Sequence, residues 1–175
     1  MPLKNRVEAI ISRIETRETL SRKLNLWRMF GRKIVFTNGC FDILHRGHAE
    51  YLIKAADLGK ELIVGINSDA SVKRLGKNDS RPLQDENSRA YLVASLNAVT
   101  SVIIFDEDTP YELIKFIEPD VLVKGADYDA EEKDPKSTKY IAGSDLVRAR
   151  GGEVRTIELS PGFSTSAIEK KILGK

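Results

Sequence analysis

Apolar residues near the start of the chain recur at helical spacing. They form two stripes, separated by the polar residues 15–19: Val7, Ile10, Ile11 and Ile14, then Leu20, Leu24 and Trp27. Intervals of three and four residues place such side chains on one face of a helix. The pattern predicts that residues 3 to about 30 are helical and form an N-terminal extension.

After Gly31 the pattern changes to short apolar runs that alternate with helical stretches. The runs predict five strands, at 33–37, 61–67, 101–105, 120–125 and 153–159. The remaining stretches predict helices at 49–59, 87–99, 109–119, 145–152 and 164–173. Continuous apolar strands that alternate with helices are typical of a parallel sheet covered on both faces. We therefore expect an α/β fold, a Rossmann-like doubly wound five-stranded parallel sheet with helices on both faces. The N-terminal helical extension then occupies 1–30 and the α/β domain 31–175.

Charge and composition are those of an ordinary globular protein. The 175 residues include 28 basic and 26 acidic side chains, a net charge of +2, so charge gives no argument for a nucleic-acid or membrane partner. No apolar run approaches the roughly 20 residues that span a bilayer. The N-terminus lacks the apolar block of a signal peptide, and the single cysteine excludes an internal disulfide. These features predict a cytoplasmic protein.

Polar and glycine residues directly follow four of the predicted strands. They lie at 37–39, 67–69, 124–127 and 160–166. In an open parallel sheet, ligands bind at the carboxyl ends of the strands. These segments therefore predict the walls of a phosphate-rich nucleotide site. The glycine-rich fingerprints of dinucleotide-binding proteins and of P-loop nucleotidases are both absent from the sequence.

The two histidines of the chain, His45 and His48, lie on either side of Gly47, just after the first predicted strand. If a helix begins near Arg46, both rings lie on one face of its first turn. A helix start carries free N–H groups and partial positive charge, and a glycine there permits close approach to the backbone. We interpret the pair as phosphate donors. The alternatives are ordinary polar residues at a helix start and, less favoured because no third ligand is present, a metal site.

The last predicted helix begins with Ser164, Thr165 and Ser166. One hydroxyl is enough for an N-cap, so three in succession favour a polyphosphate cradle over a plain cap. We interpret Cys40 as a structural residue, because a small buried hydrophobe fits between a strand and Phe41. The charged stretch from Asp127 to Tyr140 predicts an exposed loop.

The stretch TNGCFDILHRGH, residues 37–48, resembles the H-x-G-H signature of the nucleotidyltransferase superfamily. Its extended form is similar to the adenylyltransferase domain of bacterial ADP-heptose synthases. Further similar segments follow in order, including VGINSDASVKRL, SRPLQDENSRAYLVASL, LVKGADY and STSAIEKKI, so that the resemblance covers about residues 25–175. The H-x-G-H element indicates only the superfamily, whereas the extended motif and LVKGADY indicate the heptose branch.

The resemblance implies that D-glycero-β-D-manno-heptose 1-phosphate and ATP react to give ADP-heptose and pyrophosphate, with Mg²⁺ carried by ATP and no metal ligands assigned to protein side chains. It implies four catalytic residues: His45, His48, Lys77 and Arg89. It implies a nucleotide site made of Thr37, Asn38, Gly39, Cys40, Phe41, Gly47, His48, Lys73, Arg89, Lys124, Gly125, Asp127, Ser164, Thr165 and Ser166. Which of Lys73 and Lys77 reaches the pyrophosphate is left open. Acceptor contacts are expected from Asp42, Asn67 and Asp69.

The chain departs from the family pattern at Arg46, where a small residue is common, at Ala126, where glycine is frequent, and in the long loop 131–140. ADP-heptose synthases are often fused to a sugar kinase. At 175 residues the chain is expected to be the stand-alone transferase, a homodimer supplied by a separate kinase.

Three other functions stay open. The first keeps the reaction but changes the substrates, with glycerol-3-phosphate or phosphopantetheine as acceptor, or CTP as donor. The second is a nucleotide-binding regulatory module without turnover. The third, a class I aminoacyl-tRNA synthetase core, is disfavoured because no K-M-S-K-S element is present.

Overall fold

A computed structural model describes residues 5–75, 81–160, 162–172 and 174. Within them, six strands form one parallel sheet, β1 (Ile14–Glu15), β2 (Ile34–Gly39), β3 (Glu61–Asn67), β4 (Ser101–Phe105), β5 (Val121–Gly125) and β6 (Glu153–Ile157), in the order β1-β4-β3-β2-β5-β6. The helices are α1 (Arg6–Ile11), α2 (Arg17–Met29), α3 (Arg46–Ala56), α4 (Asp69–Arg74), α5 (Glu86–Ala94), α6 (Tyr111–Ile117), α7 (Ser144–Ala149) and α8 (Thr165–Ile172). The predicted Rossmann-like α/β class is confirmed.

The predicted count of five strands is wrong by one. Ile14 and Glu15 form a short edge strand that pairs with Val102 and Ile103 of β4, and the N–H of Val102 donates to the carbonyl of Arg13 at 2.8 Å. Residues 3 to 30 are therefore not continuously helical. The spacing of Ile14 fits the helical stripe, and a strand of two residues is too short to show an alternating pattern. The predicted domain division at residue 30 stays a prediction.

Helix α2 starts at a capping box formed by Thr16 and Thr19. The Thr16 hydroxyl accepts from the N–H of Thr19 at 3.2 Å, and the Thr19 hydroxyl accepts from the N–H of Thr16 at 3.0 Å. These reciprocal bonds satisfy N–H groups that a helix start leaves without partners. The cap therefore starts α2 within the polar break at 15–19 that separates the two predicted stripes.

The sheet separates two apolar cores. Helices α3 and α5 cover one face and contribute Tyr51, Leu52, Ala55, Ala90, Val93 and Ala94. Helices α2, α6 and α7 cover the other face and contribute Leu20, Leu24, Trp27, Leu113, Ile114, Ile117 and Val147. The strands supply residues to both cores, which explains why they read as continuous apolar runs. In the described part of the chain, no helix combines the length and the apolarity that crossing a bilayer requires.

Helix α2 provides a test of this packing. Leu24 is 1% exposed in the core, whereas Leu26, on the same helix, is 48% exposed. Leu24→Ala is expected to lower the free energy of unfolding by about 2–4 kcal/mol, because it leaves a cavity. Leu26→Ala is the matched control and should change it by less than about 0.5 kcal/mol. Urea unfolding followed by circular dichroism measures both, and equal effects would contradict the placement of α2.

Candidate active site

A cavity of about 630 Å³ opens at the carboxyl edge of the sheet. The segments that follow β2, β3, β4, β5 and β6 line it, together with α3. The lining residues are Asn38, Gly39, Cys40, Phe41, His48, Tyr51, Asn67, Leu75, Asp108, Thr109, Pro110, Lys124, Gly125, Asp127, Tyr128, Thr138, Tyr140, Ala142 and Leu159. The cavity thus lies where the strand-end rule locates ligands in an open parallel sheet.

The turn after β2 is tightly folded. Thr37 is buried and does not line the cavity; its hydroxyl bonds to the Tyr51 hydroxyl at 2.7 Å, which ties β2 to α3. Phe41 has a φ of 49°, a left-handed conformation that is uncommon for a residue with a side chain. The Oδ1 of Asn38 is buried and has no hydrogen-bond partner among the described residues. The wall of the cavity therefore holds an acceptor that a bound molecule could satisfy.

The two imidazoles lie together at the start of α3. His45 is the N-cap residue, and its Nδ1 accepts from the N–H of His48 at 3.3 Å. The rings are stacked, with centroids 3.8 Å apart and planes 18° from parallel. Phe41 contacts the His48 ring edge-on at 5.1 Å. Only His48 of the pair lines the cavity, so His45 orients its neighbour and shapes the helix start.

Burial keeps both imidazoles neutral. Burial and the positive charge that His45 carries when protonated together lower the pKa of His48 to about 4. A hydrogen bond with the backbone of Ile43 partly offsets this lowering. Burial also lowers the pKa of His45. The Nδ1 of His48 is buried and has no partner among the described residues. At pH 7 each ring can therefore donate one N–H without carrying a full charge.

Gly47 is buried between the rings and the C-terminal turn. A Cβ on Gly47 would lie 3.0 Å from Cε1 of His45 and 3.1 Å from Cβ of Phe163. Both distances are shorter than ordinary carbon contacts. Packing thus favours a glycine here, because a side chain would displace the His45 ring or Phe163 by a few tenths of an ångström.

Arg89 does not line the cavity, contrary to the prediction that it faces a triphosphate. It is fully buried beneath the site. Its Nη1 donates to the carbonyl of Cys40 at 2.6 Å, its Nε to that of Gln84 at 3.0 Å, and its Nη2 to the carbonyl of Asn67 at 2.8 Å and the carboxylate of Asp69 at 2.7 Å. In the structure Arg89 therefore joins three loops and acts as a positioning residue.

Asp42 and Asp69 were predicted to contact the acceptor, but both carboxylates have partners inside the protein. Burial alone would raise the pKa of Asp42, yet the N–H groups of Gln84 and Leu83 and the Arg81 guanidinium lower it below its ordinary value. Those N–H groups donate to Asp42 at 2.9 and 2.8 Å. Neither carboxylate lines the cavity, whereas Asn67, the third predicted acceptor residue, does.

The remaining predicted residues divide into three groups. Lys124, Gly125 and Asp127 line the cavity, as do Asn38, Gly39, Cys40 and Phe41. Lys73 is exposed in the last turn of α4 and does not line it, and Lys77 lies outside the described residues. Ser164 caps α8, because its hydroxyl accepts from the N–H of Ala167 at 3.1 Å. Ser164, Thr165 and Ser166 lie outside the cavity lining.

Several lining residues were not predicted. Asp108, Thr109 and Pro110 follow β4, the one predicted strand whose carboxyl end was not inspected, so the same rule would have found them. Tyr128 follows a predicted residue by one position. Tyr140 ends a loop interpreted as merely exposed, and no local signal shows that it returns to the cavity.

The sheet order gives the cavity two chemically different ends. The β5 and β6 end presents the aromatic ring of Tyr128 and the apolar side chain of Leu159, and the Lys124 ammonium lies 5.1 Å from the centre of the Tyr128 ring. The β3 and β4 end is polar, with Asn67 and Thr109. His48 follows β2, and β2 lies between β3 and β5 in the sheet. His48 therefore lies between the two ends of the cavity. The arrangement fits a base at one end, phosphates in the middle and a polar acceptor at the other.

No group of three or more His, Cys, Asp or Glu side chains that could hold a metal ion occurs in the described part of the chain. The described residues therefore do not build a metal cage of their own. They do provide N–H donors, at α3 and on its imidazoles, that suit anionic oxygen.

A doubly wound sheet with a paired imidazole site at the junction of β2 and α3 defines a Rossmann-like nucleotidyltransferase. The chain belongs to the cytidylyltransferase-like family, whose sequence profile matches residues 36–171. The resemblance found in the sequence is thereby confirmed at the level of the superfamily.

Two named bacterial proteins are similar in sequence to most of this chain. The chain is 54% identical over 162 residues to the bifunctional protein HldE of Wolinella succinogenes, covering 93% of this chain and 31% of that protein. It is 55% identical over 141 residues to HldE of Helicobacter pylori strain G27, covering 81% of this chain and 28% of that protein. The chain thus spans about a third of the length of these relatives.

Solved structures show the same fold. A lipopolysaccharide core biosynthesis protein from Thermoplasma volcanium matches with a TM-score of 0.56 and 29% identity, over 74% of this chain and 98% of that one. A pantoate–β-alanine ligase from Francisella tularensis matches with a TM-score of 0.58 and 16% identity, over 87% of this chain and 68% of that one, which supports the fold alone.

The lowered pKa of His48 predicts a pH-dependent stability. The folded-state pKa of about 4 lies below the ordinary 6.5, so the unfolded chain binds this proton more readily. The part of the free energy of unfolding that depends on a neutral His48 is fully present above pH 6.5 and is lost as the pH falls toward 4. With allowance for partial exposure, wild type should lose about 2 kcal/mol more than His48→Gln between pH 7 and pH 4. Urea unfolding at both pH values measures this, and identical losses in the two proteins would refute it.

Proposed function

We propose that the chain transfers AMP from MgATP to a sugar 1-phosphate, D-glycero-β-D-manno-heptose 1-phosphate, and releases ADP-heptose and pyrophosphate. The observation that carries the proposal is the neutral imidazole pair at the start of α3, with His48 on the wall of the cavity between its aromatic and polar ends. The heptose acceptor is supported by the extended motif at residues 37–48 and by about 50% identity to proteins named HldE.

The reaction needs no covalent enzyme intermediate. An oxygen of the acceptor phosphate attacks the α-phosphorus of ATP, the bond from that phosphorus to the oxygen bridging the β-phosphorus breaks, and pyrophosphate leaves with the electron pair. Little bond-making chemistry falls to the protein, so catalysis is positioning together with stabilisation of charge on the equatorial oxygens.

His48, oriented by His45, supplies part of that stabilisation. Since burial holds His48 neutral in the free protein, the ring can donate one N–H to a phosphate oxygen without carrying a charge of its own. Negative charge that develops on the phosphate oxygens raises the pKa of the ring and strengthens the bond in the transition state. A fixed donor of this kind is typically worth about 10²–10³ in rate.

Magnesium enters the proposal as part of the substrate. Mg²⁺ commonly keeps its waters and binds through substrate phosphates rather than an all-protein cage, and the described residues contain no such cage. Lys73 or Lys77 neutralises the leaving pyrophosphate, and Ser164, Thr165 and Ser166 hold the β- and γ-phosphates. A homodimer and a separate kinase that makes the sugar 1-phosphate stay predictions.

Pyrophosphate release tests the reaction. Wild type is expected to release pyrophosphate from MgATP only when the sugar 1-phosphate is supplied. His45→Ala and His48→Ala should each lower kcat at least about tenfold, because the first variant loses the ring that orients His48 and the second loses a preorganised donor. Circular dichroism of both variants controls for folding. Wild-type rates in the two variants would refute the assigned role of the pair.

The same assay separates the substrates. ATP and CTP are compared against heptose 1-phosphate, glycerol-3-phosphate and phosphopantetheine. A preference for CTP, or turnover with glycerol-3-phosphate alone, would replace the proposed donor or acceptor. Nucleotide binding without turnover for any pair would favour a regulatory module.

The polar end of the cavity is proposed to read the sugar hydroxyls, through Asn67 and Thr109. Thr109→Val keeps the shape and removes the hydroxyl, so it should raise the KM for the sugar 1-phosphate about twofold to tenfold, the range expected from one lost hydrogen bond. The KM for ATP should stay unchanged. Steady-state kinetics with each substrate varied in turn measures this, and an effect on ATP instead would place the acceptor elsewhere.

A further inference from the structure

Arg46 occupies the x position of the H-x-G-H element and contacts Phe163. It does not line the cavity, and its guanidinium carbon lies 4.9 Å from the centre of the Phe163 ring. Its Nε donates to Glu50 at 2.6 Å, one helical turn further along α3. Two residues of the nucleotide-site helix are therefore directed at the segment that precedes α8.

Glu50 makes the second contact with that segment. Its other carboxylate oxygen accepts a hydrogen bond from the Ser160 hydroxyl. The Ser160 hydroxyl and the Arg46 guanidinium lower the pKa of Glu50 below its ordinary value, so the carboxylate is charged at neutral pH. Arg46 and Glu50 thus contact residues on both sides of position 161, namely Phe163 and Ser160.

Phe163 connects this contact to the phosphate residues. It directly precedes Ser164, whose side chain caps α8. Its Cβ lies 3.1 Å from the point where a Cβ on Gly47 would be, so the turn packs against the start of α3 without a gap. The position of Ser164–Ser166 relative to His48 therefore depends on where Phe163 lies.

A second cation, Arg81, holds α8 itself. Arg81 pairs with Asp42, in the loop that leads into α3, and with Glu169 of α8. Because this bridge anchors α8 independently, removing the Arg46 contact frees the turn at 162–164 and leaves the helix in place. The Arg46 contact therefore adds to the packing of Phe163 against Gly47 in positioning the turn.

We propose that Arg46 is a positioning residue that holds the Gly162–Ser164 turn against α3 and so sets the affinity for the triphosphate, without touching the nucleotide. The proposal rests on the proposed function, in which Ser164–Ser166 bind the β- and γ-phosphates. An exposed cation over an aromatic ring is a modest interaction, which suits a turn that closes on a ligand and releases it.

Binding of MgATP and of AMP, measured by calorimetry without acceptor, tests the proposal. Arg46→Ala should weaken MgATP about threefold to tenfold and AMP less than about twofold, because only the triphosphate reaches the turn. Arg46→Lys keeps a cation and should restore part of the affinity. Arg22→Ala is the matched control, since Arg22 forms an exposed ion pair with Glu18 at the same spacing on α2, away from the site.

A double-mutant cycle tests the partner. Phe163→Leu should weaken MgATP to a similar degree, and Arg46→Ala combined with Phe163→Leu should weaken it little further. Unchanged affinity in Arg46→Ala, an equal loss for AMP and MgATP, or fully multiplicative effects in the double variant would each overturn the proposal.

The experiments distinguish the proposed reaction from the positioning role of Arg46. If wild type releases pyrophosphate but Arg46→Ala binds MgATP normally, the positioning role is wrong and the proposed function stands. If no acceptor supports pyrophosphate release while Arg46→Ala loses affinity for MgATP alone, the positioning role stands and the reaction is wrong. Wild type that does not bind MgATP would overturn both.

Discussion

One buried guanidinium fixes the loops at the carboxyl edge of the sheet. Arg89 donates to carbonyls of three separate connections, at Cys40, Asn67 and Gln84, and to the Asp69 carboxylate. A buried arginine is tolerated only where its N–H groups find partners. Each of these loops must therefore keep the conformation that presents an oxygen to Arg89, and the turn that leads to the imidazole pair is one of them.

The fold follows from sequence further than the site does. Apolar runs that alternate with helical stretches were enough for the doubly wound sheet, because both faces are covered and every central strand is buried. The edge strand at Ile14 and Glu15 was missed, since two residues carry no periodicity and Ile14 also fits a helical stripe. Helix α4 was missed for a related reason: its six residues are shorter than a recognisable amphipathic pattern.

Site residues could be predicted where nearby residues in the sequence determine their position, and not where contacts with distant residues do. The segments after β2 and β5 line the cavity because strand ends converge at one edge. Asp42 looked equally exposed to substrate, but the residues that occupy its carboxylate are 39 to 42 positions away in sequence. The burial of Arg89 likewise depends on partners up to 49 positions distant. A single sequence gives no sign of such contacts.

Gly47 brings the first turn of α3 close to the turn that precedes the last helix. Because it lies in close contact with both an imidazole and the turn before the last helix, the element proposed to hold the inner phosphates and the element proposed to hold the outer ones share one surface. In the proposed reaction the contacts to the inner and to the outer phosphates therefore lie on elements that pack against each other, so a displacement of one element is transmitted to the other.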